Sequence, residues 1–170
     1  TADATLLSNL LRGALFFAST TVFILGGLFA LLGTAPKVAE VIGQLPYAAP
    51  AEPRLAEIKA LILIFVYIYA FFKFSWSAWH YNVLAILVGA MPERRPGQED
   101  EAVRHRETSA RVLVLAGENY NNGTRAYYFS IPLMAWFIAP ALFIATTLIV
   151  TIVLYRREFY SPVLAALRHP

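Results

Sequence analysis

Residues 60–89 read ALILIFVYIYAFFKFSWSAWHYNVLAILVG, an apolar run of helix formers and aromatics with no proline and no glycine before Gly89. Lys59 stands just ahead of it, and Lys73 and His80 are its basic residues. Taken from Leu55 to Gly89, the stretch makes a helix about 50 Å long at 1.5 Å per residue, against roughly 30 Å for a hydrocarbon core. A helix over about 54–88 therefore spans a membrane and overshoots it. Working outward, the apolar segments 14–32 and 127–155 also reach the length of about 20 residues that a crossing needs.

Composition agrees. Hydrophobic residues make up 58%, charged residues 15%, and the mean hydropathy is +0.56, whereas soluble domains are about one quarter charged. The expected fold class is an all-α integral membrane protein in a single membrane domain over residues 1–170. Its three transmembrane helices cover about 6–33, 54–88 and 126–156. Continuous apolar segments, rather than alternating ones, argue against an outer-membrane barrel. The formal charge of +3 is small and the arginines flank the apolar segments, so the lipid bilayer is the expected partner and nucleic acid is not. The absence of cysteine removes disulfides, thiolate metal sites, iron–sulfur clusters and thiol catalysis. The chain opens on Thr1 rather than Met, with no leader pattern before it, which suggests residues upstream.

In the first helix Arg12 suits an interfacial anchor. Ser19, Gly26 and Ala30 fall near one face, the last two at the spacing that lets a second helix approach closely. Residues 34–54 are rich in proline. Pro36 suits the first turn of a surface helix over about 36–45, with Val38, Val41, Ile42 and Leu45 on its membrane side. Pro46, Pro50 and Pro53 then extend the chain towards the central helix.

Along that helix Lys59, Val66, Tyr69, Lys73, Trp76, Ser77 and His80 follow a three-four spacing, predicting a polar stripe. In one reading the lysines snorkel to opposite interfaces, and Tyr67, Tyr69, Trp76 and Trp79 form aromatic belts. In the other, Lys73 faces a bundle interior or pore with Ser77 and His80. The lysine separation, about 21 Å along the axis, favours snorkelling.

Residues 92–126 are the polar region, with Arg94, Arg95, Arg104, Arg106, Arg111 and Arg125. Asp100/Arg104, Glu101/His105 and Glu107/Arg111 lie at i, i+4, predicting a helix over about 98–121 laced with ion pairs. It is expected to stop at Asn121-Asn122-Gly123. Glu101 and His105 lack a third ligand, so no metal site is expected. Asn122-Gly123-Thr124 matches a glycosylation acceptor but adjoins the arginine-rich segment, which argues against its use. The arginines assign residues 90–125 to the cytoplasm. The last segment holds Pro132 and Pro140 and ends at Arg156 and Arg157, with a kink expected at Pro140. Three full crossings leave those two arginines outside, against the positive-inside tendency. A re-entrant segment hinged at Pro140 would remove the conflict, but its arms look too short to span, and the crossing is kept.

At LLRGALFFASTT (10–21), IFVYIYAFFKFSWS (64–77), RAYYFSIPLMAWFIAP (125–140) and LYRREF (154–159) the chain resembles the bacterial membrane family known as domain of unknown function five-nine-nine. The resemblance runs along essentially the whole chain. It implies a further membrane helix and a basic segment before Thr1, and it transfers no catalytic residue. Lys73, Trp76, Arg125, Tyr127, Tyr128, Arg156 and Arg157 match its recurrent strings. In WSAWHYN (76–82) the family often carries Arg-Gln-Phe-Asn instead, so a charge at His80 is not a fixed requirement.

Chemistry is sparse. The chain has no phosphate loop, dinucleotide fingerprint, nucleophile elbow or HExxH, and Glu40, Glu52 and Glu118 lie in polar or boundary segments. Haem would need a partner for His80. The expectation is a non-catalytic membrane protein of the bacterial inner membrane with no cofactor. It would act as an accessory or scaffolding subunit, through homo-oligomerisation or attachment to a larger complex. The alternative is a small oligomeric channel or transporter with a path lined by Lys73, Ser77 and His80.

Overall fold

The computed structural model of the chain describes residues 2–44, 52–91 and 99–160. Within them the helices are α1 (Ala2–Gly33), α2 (Ala35–Gly43), α3 (Pro53–Gly89), α4 (Glu99–Ala135) and α5 (Pro140–Phe159). Leu45, Pro46, Pro50, Arg94, Arg95 and Gln98 lie outside the described residues. Among the described residues, three stretches are long and apolar enough to cross a membrane: Ala4–Gly33, Arg54–Gly89 and Pro140–Phe159. The protein is an all-α membrane protein.

The central helix runs unbroken from Pro53 to Gly89, as a sequence free of internal breakers requires. The last two helices depart from expectation. No helix ends at Asn121-Asn122-Gly123, and none covers 126–156. Instead α4 continues through the Asn-Asn-Gly triplet and past Pro132 to Ala135. Two contacts mark the crossing point, one local and one from α3. Thr124 Oγ1 donates to the Tyr120 carbonyl at 2.9 Å, and Gly123 abuts the Phe74 ring so closely that a Cβ there would sit 2.8 Å from it. A helix interior suits that glycine because the neighbouring ring needs its space. Pro140 does not kink a helix but begins one, with Ala139 extended at φ −155°, ψ 144°. This is the conformation favoured before proline. The third candidate span is accordingly Pro140–Phe159 rather than 127–155.

The chain divides into two compact units, both of which draw on α1, α3 and α4. In the first (Thr1–Ile24 and Ile68–Thr124), α1 presents Ala14, Ala18 and Thr21, all buried. Ala14, Ala78, Tyr81 and Ala116 form a cluster flanked by Leu11 and Tyr120. Small side chains let helix backbones approach closely, which sustains packing where lipid competes for apolar surface. Phe17 stacks on Phe74 at 5.0 Å and Tyr120 meets both rings edge-on. Ser77 Oγ donates to the Ala116 carbonyl at 2.8 Å and His105 Nε2 to the Leu87 carbonyl at 2.7 Å, so α3 and α4 run antiparallel here. His105 thus spends Nε2 on α3, a bond the expected Glu101 pairing does not anticipate.

In the second unit (Leu25–Tyr67 and Arg125–Pro170), the Ser130 hydroxyl donates to the Tyr127 carbonyl at 2.7 Å. Its single proton is thereby used, so the Tyr67 hydroxyl donates to Ser130 Oγ at 2.8 Å. The Tyr67 and Tyr127 rings meet edge-on at 5.2 Å. Arg125 pairs through one nitrogen with both oxygens of Glu158, at 2.5 and 2.6 Å. The end of α4 and α5 are therefore antiparallel arms joined by residues 136–139. In α2, Pro36 occupies the first turn, Ala39 is buried, Val38 and Ile42 are half-buried and Val41 is exposed. Val150 is the buried residue of α5. The most apolar window of α3 is 39% buried, against 11% in α1 and 6% in α5. The central helix is the packed one, and the other two spans leave most of their surface for lipid or another chain.

Candidate functional site

The expected polar stripe on α3 separates into two rows. Tyr69, Lys73, Trp76 and His80 lie along a half-exposed flank, whereas Ser77 is fully buried one step round the helix with Phe74 and Tyr81. His80 Nδ1 donates to the Trp76 carbonyl of its own helix at 2.6 Å. Lys59 belongs to the second unit and is built differently.

Lys73 Nζ donates to Asn119 Oδ1 at 3.2 Å. The amide is itself oriented, because Asn119 Nδ2 donates to the Leu115 carbonyl at 2.9 Å. The ammonium lies 5.5 Å from the Tyr69 ring centre and 5.3 Å from that of Trp76, within the range where a cation is attracted to an aromatic face. Those rings are 49% and 50% exposed. Lys73 therefore meets a neutral partner on one side and open aromatic surface on the other.

Lys59 answers a backbone problem. A continuing helix would have the N–H of residue 140 donate to the Trp136 carbonyl, but proline has none. Lys59 Nζ donates to that carbonyl instead, at 2.8 Å. It lies 5.0 Å from the Trp136 ring centre and 5.9 Å from that of Phe137. Beside it is a small cavity lined by Ala39, Ile42, Glu52, Leu55 and Phe137. The proline break and the lysine across from it are complementary parts of one connection.

The other residues singled out from the sequence are spread through the molecule. Ser19, Gly26 and Ala30 are exposed, and open space surrounds Gly26. The face α1 uses in the first unit is Ala14, Ala18 and Thr21. Arg125 bonds Glu158, Tyr127 packs on Tyr67, Tyr128 is half-buried, and Arg156 and Arg157 are exposed near the end of α5. Sequence reasoning missed Asn119, Ser130, the Trp136 carbonyl, Glu158 and the Phe74–Gly123 contact. A glycine inside an otherwise helical pattern is the one local signal that pointed to the last of these. The hydroxyls of Ser77 and Ser130 both donate to carbonyls, which is how a hydroxyl is satisfied in an apolar interior.

No curated protein and no solved structure matches the chain. Residues 1–163 match the family described as protein of unknown function, DUF599, a span that includes both lysine settings and the Arg125–Glu158 pair. The chain belongs to that family.

Proposed function

We propose that this protein is a non-catalytic subunit of the bacterial inner membrane that works by assembly, with its own copies or within a larger membrane complex. The observation that carries this reading is the setting of Lys73. Its ammonium is held by a neutral amide between two exposed aromatic rings, surroundings that suit a lipid-facing or protein-facing flank better than the lining of an aqueous path. The sparsely buried α1 and α5 add surface for such assembly.

Residues 90–125 are assigned to the cytoplasm. The Arg125–Glu158 pair supports this by returning Arg156 and Arg157 to the level of Arg125. Residues 136–139 lie by Lys59, near the start of α3. The apolar end of α4 and α5 thus go out and come back, and the conflict with the positive-inside tendency disappears. Because the chain has no cysteine, single cysteines can test this directly. A membrane-impermeant maleimide added to right-side-out cells should label Gln44→Cys and leave Asp100→Cys and Tyr160→Cys unlabelled. Labelling of Tyr160→Cys would overturn the return of α5.

Assembly is tested by native mass spectrometry of the detergent-solubilised protein, where multiples of 18.9 kDa or a stable heteromeric mass are expected. A lone protomer throughout would refute it. Anion flux into liposomes that disappears with Lys73→Ala would establish the channel reading in its place.

A further inference from the structure

We propose that Lys73, Asn119, Tyr69 and Trp76 form a binding site for a phosphate group, occupied by the headgroup of an anionic phospholipid. An ammonium carries three N–H donors. Lys73 uses one on Asn119 Oδ1, and no carboxylate pairs with it among the described residues. Its bond to Asn119 holds the head in a defined place, since that amide is tied to the Leu115 carbonyl. Two donors remain for a tetrahedral anion.

The depth of the site follows from its neighbours. Tyr69, Phe72, Trp76 and Trp79 are all between 48% and 61% exposed on the outer surface of α3. Exposed tyrosine and tryptophan gather at headgroup level, where the ring body meets acyl chain and the polar edge meets water. A lysine among them meets lipid phosphates, and its stem can lie along the apolar flank. Lipid of net negative charge is favoured over zwitterionic lipid because the site holds a cation with no counter-charge. Lys59 also keeps two donors, but its setting differs: it caps a main-chain carbonyl between the partly covered Trp136 and Phe137 rings, whereas Lys73 lies between the exposed rings of Tyr69 and Trp76. This site stands independently of the assembly proposed above, since a monomer can bind lipid as well as an oligomer can.

The experiment uses the whole chain in mixed micelles with phosphatidylglycerol and phosphatidylcholine at equal concentration, counting retained lipids by native mass spectrometry. The wild type should retain phosphatidylglycerol about fivefold over phosphatidylcholine, the preference one basic residue confers near an anionic surface. Lys73→Gln should bring the ratio close to one, and Lys73→Arg should keep it. Asn119→Leu, which leaves the charge but frees it, should lower the ratio part-way. Unchanged preference in a Lys73→Gln protein of native helicity would overturn the site, and so would its loss in Lys73→Arg. Millimolar inorganic phosphate should leave lipid retention unaltered. Displacement of phosphatidylglycerol by phosphate would assign the site to a soluble anion and refute the lipid.

Discussion

Lys59 and Lys73 lie on the same helix, at the two ends of the apolar run 60–72, and meet different partners. Lys59 donates to a backbone carbonyl that Pro140 leaves unpaired, with two aromatic rings beside it. Lys73 donates to a side-chain amide and looks out between exposed rings. One lysine stabilises a break in the chain. The other is held by a side-chain amide between exposed rings, with its remaining donors facing outward. A cation in an apolar helix thus has a role set by the groups across from it, and its own sequence neighbours barely distinguish the two cases.

The comparison predicts where stability resides. The largest loss should come from the residue next to Lys73 rather than from the lysine: Phe74→Ala empties the ring stack with Phe17 and Tyr120 and should cost about 3 kcal/mol. Gly123→Ala, which drives a methyl into the same ring, should cost about 1–3 kcal/mol. Reversible unfolding in mixed micelles measures both, and near-neutral values would mean that this stack does not hold the first unit together.

Lys59→Met should come next. It strands the part-buried Trp136 carbonyl, a loss of about 1 kcal/mol, the low end of the range for an unpaired acceptor. Adding Pro140→Ala restores an N–H at the position that can reach that carbonyl, so the double variant should regain part of the loss. Strict additivity in this cycle would show that Lys59 does not serve the proline break. Arg125→Met removes an ion pair whose side chains are 42% and 50% exposed, and it should cost less than about 1 kcal/mol. Smallest of all, Lys73→Met should stay within about 0.5 kcal/mol of wild type. A loss as large as that of Lys59→Met would erase the difference between the two lysines.

Some local signals carried through to the structure and others did not. The continuity of α3 follows from the absence of breakers between Ala60 and Val88, and its membrane character from hydropathy summed over a window. Both are properties of adjacent residues. The run of α4 through Asn121-Asn122-Gly123 was not legible, because a triplet that favours a turn in isolation is overruled when Phe74, 49 positions earlier in the numbering, fills the space beside its glycine. Ser77 could not be separated from the Lys73 row by spacing alone, since residues one step apart share a broad helix face and only the partner helix decides which is covered.

The sequence by itself determined that this is a helical membrane protein and that α1 and α3 are apolar enough to cross. These depend on transfer free energy and backbone geometry, which act residue by residue. Only the tertiary structure decided that Lys59 completes the proline break, that Lys73 meets Asn119, and that Arg125 and Glu158 bring the last helix back. Each of these joins groups at least 33 positions apart. Their pairing is set by the antiparallel packing of helices, through which a polar atom in an apolar medium finds the partner it cannot do without.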